Sequence, residues 1–255
     1  MALAAVAPAE RASTAPRTAD RITPASGLAH GYGTRVRAVV VTGMKGVIGR
    51  VISGALAGWE TRCADLPDCD VRDYDQVLAM LDGADAVIHL AWDTTENFLS
   101  GRLEPDNQQM THNVYTAARA AGVTRVVAAS SVHADRFWPP RGALRRIDDQ
   151  PVPDSPYGAS KVFVEALGRY AADLGTEVVC IRFGGVNPTD AIPESGPERA
   201  VWLSHRDCRA LIGRALDAPL PPHPYVALYG ISDNSGRLHD LDNPIGWRPK
   251  DGAPA

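Results

Sequence analysis

Apolar positions along this chain come in short solid runs separated by stretches with helical spacing. Val39-Val40-Val41 is a β-branched run that stops at Thr42-Gly43, the pattern of a strand buried on both faces. From Gly46 to Trp59 the apolar residues Val47, Val51, Ile52, Leu56 and Ala57 recur on one side of a helix. A short strand is expected over 60–64. Tyr74 to Leu81 predicts a helix, with the short acceptor side chain of Asp73 as its N-cap. Ala84 to Leu90 reads as a strand entered through a turn at Gly83. Helices over 106–121 and 156–174 and strands over 123–129 and 177–182 follow. Ser204 to Asp207 has the form of a capping box that opens a helix ending at Leu216. A last strand covers 225–229, and the remainder is turn-rich.

Strand and helix alternate throughout, with no internal repeat. This order predicts an α/β fold, a doubly wound parallel sheet of Rossmann-like type with helices on both faces. The first 36 residues break the pattern and are rich in Ala, Pro, Arg and Thr. Their composition also suits an organelle transit peptide, but a flexible or weakly docked extension is the simpler reading. Residues 37–255 then form a single nucleotide-binding domain. Its part from about residue 183 onward is expected to be a small C-terminal substrate-binding lid.

Composition narrows the function. A formal charge of −4 and a pI near 6.0 give no reason to expect nucleic acid. The one dense basic cluster, Arg141, Arg145 and Arg146, reads as a solvated surface loop. No apolar run approaches the roughly 20 residues of a membrane span. No apolar block near the start has the form of a secretory signal, so a cytoplasmic location is expected. Cys63, Cys69, Cys180 and Cys208 form no CxxC pair, and no histidine stands beside them at zinc spacing, so no metal site is expected. Cys180, inside an apolar run, reads as a small core residue.

Two motifs carry chemistry. In Thr42-Gly43-Met44-Lys45-Gly46-Val47-Ile48-Gly49 the glycines fall between a strand and a helix. Gly43 permits a tight turn, Gly46 lets backbone approach a pyrophosphate, and Gly49 allows close helix packing. Unpaired N–H groups at the helix start then face the phosphates. Asp65 ends the second strand at about 20 residues beyond this turn, where an acid accepts from ribose hydroxyls and repels a 2′-phosphate. Asp65 therefore favours NAD over NADP, and Lys45, a cation in the loop, pulls the other way.

The second motif is Tyr157-Gly158-Ala159-Ser160-Lys161, with Tyr157 and Lys161 at i and i+4 on one helical face. Lysine is scarce here (Lys45, Lys161 and Lys250), so the pairing stands out. A phenol is a poor base at neutral pH until a nearby ammonium stabilises the phenolate. A hydroxyl to hold the reacting oxygen is expected at an earlier strand end, where Ser131 stands with Ser130 as its backup.

With these residues the chain resembles the extended short-chain dehydrogenases, and within them the uronate dehydrogenases. The resemblance runs from about Arg37 onward. It also takes in His89-Leu90-Ala91, Ser130-Ser131-Val132-His133, Trp202-Leu203-Ser204-His205 and Gly246-Trp247-Arg248-Pro249-Lys250-Asp251. It implies that Ser131, Tyr157 and Lys161 are catalytic and that Asn113 belongs to a supporting proton relay. It implies that Gly43, Lys45, Gly46, Val47, Ile48, Asp65, Asp70, Val71, Leu90, Ala91, Tyr157 and Lys161 line an NAD site. Thr94, Ser131, His133 and Arg199 match substrate-contacting positions, with Arg199 set to pair with a sugar carboxylate. Val132 stands where the family has asparagine and Gly185 where it has serine. The short segment after Arg182 implies a small free substrate, and relatives imply a homodimer. The expected reaction is hydride transfer between nicotinamide and a hydroxyl or carbonyl. The alternatives are an epimerase or dehydratase that recycles bound NAD and a non-catalytic nucleotide sensor.

Overall fold

A computed structural model describes residues 35–138 and 144–254. The chain divides after Arg35, and the unit from Val36 onward holds both the sheet and the candidate site. Almost all of the expected N-terminal extension, and Arg141 of the basic cluster, lie outside the described residues.

Six strands, β1 (Arg37–Thr42), β2 (Trp59–Ala64), β3 (Ala86–His89), β4 (Arg125–Ser131), β5 (Glu177–Phe183) and β6 (Tyr225–Gly230), form one sheet. Its order is β2-β1-β3-β4-β5-β6, and every pairing is parallel. The helices are α1 (Val47–Ile52), α2 (Tyr74–Met80), α3 (Pro105–Ala120), α4 (Pro156–Asp173), α5 (Pro197–Ala200) and α6 (His205–Asp217). The doubly wound parallel sheet expected from the alternation is therefore observed.

Both faces of the sheet are covered, which is why the strands read as solid apolar runs rather than alternating ones. On one face Val39, Val41, Ile88 and Ile181 pack with Ile52 of α1 and Leu211 and Ile212 of α6. On the other, Val40, Val87 and Val126 pack with residues of α2, α3 and α4 such as Val77, Val114 and Val164. Each such burial contributes roughly 1.5–3 kcal/mol, so a one-residue slip of a central strand is excluded by packing. The Gly-Trp-Arg-Pro-Lys-Asp stretch serves the same core. Trp247 is buried in it, and the Lys250 and Asp251 amides donate to the buried Asp207 carboxylate of α6.

Most boundaries match the sequence pattern, and α1 is the exception. It ends at Ile52 instead of continuing to Trp59. The Ser53 hydroxyl turns back to the Arg50 carbonyl at 2.8 Å, and the chain tightens into a single 3-10 turn over Ser53–Ala55. Such local side-chain bonds compete with helix propagation. Trp59 already belongs to β2, with the Arg37 guanidinium 4.0 Å above its ring. The basic cluster differs as well. Arg145 is no solvated loop residue, because its guanidinium pairs with the fully buried Asp135 carboxylate.

Candidate active site

The strand order reverses between β1 and β3, and a cleft opens at the carboxyl ends of these strands, the usual ligand position in such sheets. Gly43 has φ +78°, and a Cβ there would lie 2.6 Å from the Ala91 amide nitrogen. Only glycine lets the turn pass this close to the end of β3. Beneath it, the Thr42 hydroxyl accepts from the Ala91 amide at 3.2 Å and donates to Nδ1 of the buried His89 at 2.8 Å. Burial pushes the His89 imidazole down to about 3, so it stays neutral and clamps β1 to β3.

Gly46 caps α1 without a side-chain hydrogen bond, which leaves first-turn N–H groups open to an anion. Gly49 is buried inside α1 against Met44. A cavity of about 700 Å³ begins here. Gly43, Lys45, Gly46, Val47, Ile48, Asp65, Asp70, Val71, Leu90 and Ala91 all line it, as does Thr94. A small-residue turn, an uncapped helix start, a carboxylate at the end of β2 and apolar walls together fit a dinucleotide.

The tyrosine–lysine motif arrives from α4. A Cβ on Gly158 would lie 2.2 Å from the His133 carbonyl, so glycine is what seats the first turn of α4 against residues 132–135. This seating brings Tyr157 to Ser131, the last residue of β4. Burial raises the Tyr157 pKa, and a hydrogen bond with the Ser131 hydroxyl opposes the rise. Lys161 is 4% exposed. Its ammonium donates to the Ala129 carbonyl at 3.2 Å and lies 3.3 Å from the centroid of the Trp92 ring. Burial lowers it to about 7, opposed by the negative charge of Glu96. Ser130 faces the other way and donates to the Glu165 carboxylate at 2.7 Å, as strand alternation requires. Its backup role therefore falls away.

Other expected residues divide. Thr94 lines the cavity, and the His133 ring stands 5.7 Å from that of Tyr157, edge to face. Asn113 is placed elsewhere. Its amide donates to the carbonyls of Val71 and Arg72 and accepts from Gln109. These bonds fix the loop after β2 and commit the Asn113 side chain to that loop and to Gln109. The Arg199 guanidinium is spent on the carbonyls of Pro193 and Pro254.

Sequence reasoning missed Glu96. This carboxylate is 1% exposed and accepts from Glu104 N, Asn107 Nδ2 and the Ser160 hydroxyl. It ties the loop after β3 to α3 and α4. Nothing local distinguishes it from a solvated loop acid. Trp92 was also missed, although its place just after His89-Leu90-Ala91 marks it as the next residue into the cleft.

Residues 39–187 match the NAD dependent epimerase/dehydratase family. The chain belongs to that family. It is similar to the L-arabinose 1-dehydrogenase (NAD(P)(+)) of Haloferax volcanii, with 36% identity over 84% of this chain and 96% of that protein. It is 34% identical to the uronate dehydrogenase of Agrobacterium fabrum, over 86% and 87% of the two chains. Its fold matches a mutant uronate dehydrogenase from Agrobacterium tumefaciens complexed with NAD. That comparison has a TM-score of 0.71 and 32% identity, over 85% of this chain and 86% of that one. Family membership makes this chain an NAD-dependent enzyme of the extended short-chain dehydrogenase type, as its two motifs led us to expect.

Proposed function

We propose that this enzyme oxidises a secondary or hemiacetal hydroxyl of a small sugar-like molecule to the carbonyl, with Tyr157 as base. The observation that carries this reading is the grouping of Ser131, Tyr157 and Lys161, from two separate elements, against Trp92 and Ala129 of the cavity wall. The Ser131 hydroxyl holds the reacting oxygen. Tyr157 removes its proton, and the Lys161 ammonium, 5.5 Å from the tyrosine ring, favours the phenolate. The Trp92 ring face attracts the ammonium and partly offsets the desolvation that lowers its pKa. NAD, when bound, supplies the hydride acceptor at the nicotinamide C4.

The ten lining residues from Gly43 to Ala91 form the cofactor cradle in this reading, and Thr94 and His133 contact the substrate. Gly184 and Val186 close the cavity from beyond β5, which supports a substrate lid in the C-terminal part. The names of the sugar dehydrogenases among the relatives support the substrate class. A cytoplasmic homodimer completes the proposal. Phe163 and Tyr170, 39% and 60% exposed on α4, support a helical dimer face, which sedimentation would test.

The test is NADH absorbance with aldoses, uronic acids and small ketones, run with NAD and NADP in parallel. NADH accumulates if the enzyme is a dehydrogenase, whereas an epimerase turns over without it. Tyr157→Phe lowers turnover at least about a hundredfold while NAD affinity, followed by fluorescence, changes less than about threefold. A Tyr157→Phe enzyme with near-native turnover overturns the assignment.

A further inference from the structure

The arginine that the sequence offers to an anionic substrate is already engaged. Arg199 lies on the single turn of α5. Its Nε and Nη2 both donate to the Pro254 carbonyl, at 3.1 and 2.8 Å, and Nη1 donates to the Pro193 carbonyl at 2.8 Å. The Nε–Nη2 edge is one of the two-pronged edges that would grip a carboxylate. Here it grips a neutral carbonyl and holds down the C-terminal segment.

Around the Tyr157 end the remaining charge is acidic. Lys161 meets the cavity wall at Trp92 and Ala129, and Asp93 lines the same cavity. Among the described residues, the cations lining the cavity are Lys45 and Arg72. Lys45 donates to the Leu66 carbonyl, and Arg72 chelates Asp70, so both cations are engaged by the loop after β2. Lys161 is reserved for Tyr157. Glu96 lies buried behind it, close enough for its charge to act on Lys161.

What this end does present is hydroxyl chemistry. Asp154 accepts from His133 Nδ1 with both carboxylate oxygens, at 3.0 and 3.1 Å. A carboxylate only accepts, so Nδ1 carries the proton and Nε2 is the atom left for a ligand. Phe98 and Phe137 both stack near-parallel to the imidazole, with centroids at 4.4 and 4.8 Å. Thr94 and Ser131 add two more hydroxyl-binding groups.

We propose that this site takes a neutral aldose and discriminates against sugars bearing a carboxylate or phosphate, with Arg199 acting as an anchor for the C-terminal segment. This rests on the dehydrogenase reading of the same site. A neutral polyol loses little on entering a wall with no free cation among the described residues, whereas an anion gives up its water for acidic neighbours.

The experiment compares kcat/KM at saturating NAD for L-arabinose, D-xylose, D-galactose and D-glucose against D-glucuronate, D-galacturonate and D-glucose 6-phosphate. The best neutral sugar exceeds the best anionic one by at least about tenfold. Arg199→Gln leaves that ratio within about threefold and lowers thermal stability instead. An anionic sugar that equals or exceeds every neutral one overturns the inference. So does a selective loss of anionic-sugar turnover in Arg199→Gln. Should that variant not fold, the wild-type ratio still decides. NADH from no sugar at all would fail the dehydrogenase reading as well, whereas NADH with the reverse preference fails only this inference.

Discussion

The Asp65 carboxylate accepts a hydrogen bond from the Lys45 main-chain N–H at 3.2 Å, across the tip of the glycine turn. The Lys45 ammonium is drawn to the Leu66 carbonyl at 2.6 Å. The two residues that argue opposite cofactors from sequence therefore act together. Lys45 orients the end of β2 through its backbone and side chain, and Asp65 is left as the negative group facing the cradle.

Asp65→Ala therefore relaxes cofactor choice. The ratio of kcat/KM for NADP to that for NAD rises by at least about tenfold, because a like-charge contact with the 2′-phosphate is removed. Lys45→Ala moves the ratio far less. Steady-state kinetics with each cofactor checks both, and an unchanged ratio in Asp65→Ala removes the residue from cofactor selection.

Lys161 gives the fold a pH dependence of known sign. Its pKa is about 7 in the folded chain and near the ordinary 10.5 when unfolded. Between those values the unfolded chain holds more protons, so stability rises with pH, by at most about 1.4 kcal/mol per unit. Below pH 7 both states are protonated and the gain is absent. Thermal melts from pH 6.5 to 9.5 should show Lys161→Met gaining over wild type at the acid end and losing that advantage as pH rises. A parallel pair of curves would contradict the burial of a titrating ammonium.

Arg182 ties β5 to α4 and to the turn after β4. It is fully buried, binds both oxygens of Glu165 at 2.8 and 2.9 Å, and reaches Asp135 at 3.0 Å. Glu165 lies one turn beyond Lys161 on α4 and also holds Ser130. Arg182→Met leaves the buried Glu165 carboxylate without its cationic partner and Asp135 with Arg145 alone, and destabilises the chain by about 3–5 kcal/mol. Urea unfolding should find the double variant Arg182→Met/Glu165→Met less impaired than Arg182→Met alone. A double variant worse than the single one would show that packing, not charge pairing, sets the cost.

Much of this was legible in one dimension. Val39-Val40-Val41, the glycine turn and the i, i+4 tyrosine–lysine pair are local patterns, and their meaning depends on backbone geometry and spacing that the sequence carries whole. They determined the parallel sheet, the glycine turn at its switch point and the placing of Tyr157 and Lys161 one turn apart on α4. Partners that lie far apart in the chain were decided only by folding. Ser130 and Ser131 are neighbours, yet packing turned one to Glu165 and the other to Tyr157. Asn113 went to the loop after β2, Glu96 was buried beside Ser160, and Arg199 was taken by Pro254. Each of these outcomes depends on which distant polar group a side chain meets when it loses water, and that choice exists only once the sheet has brought the segments together.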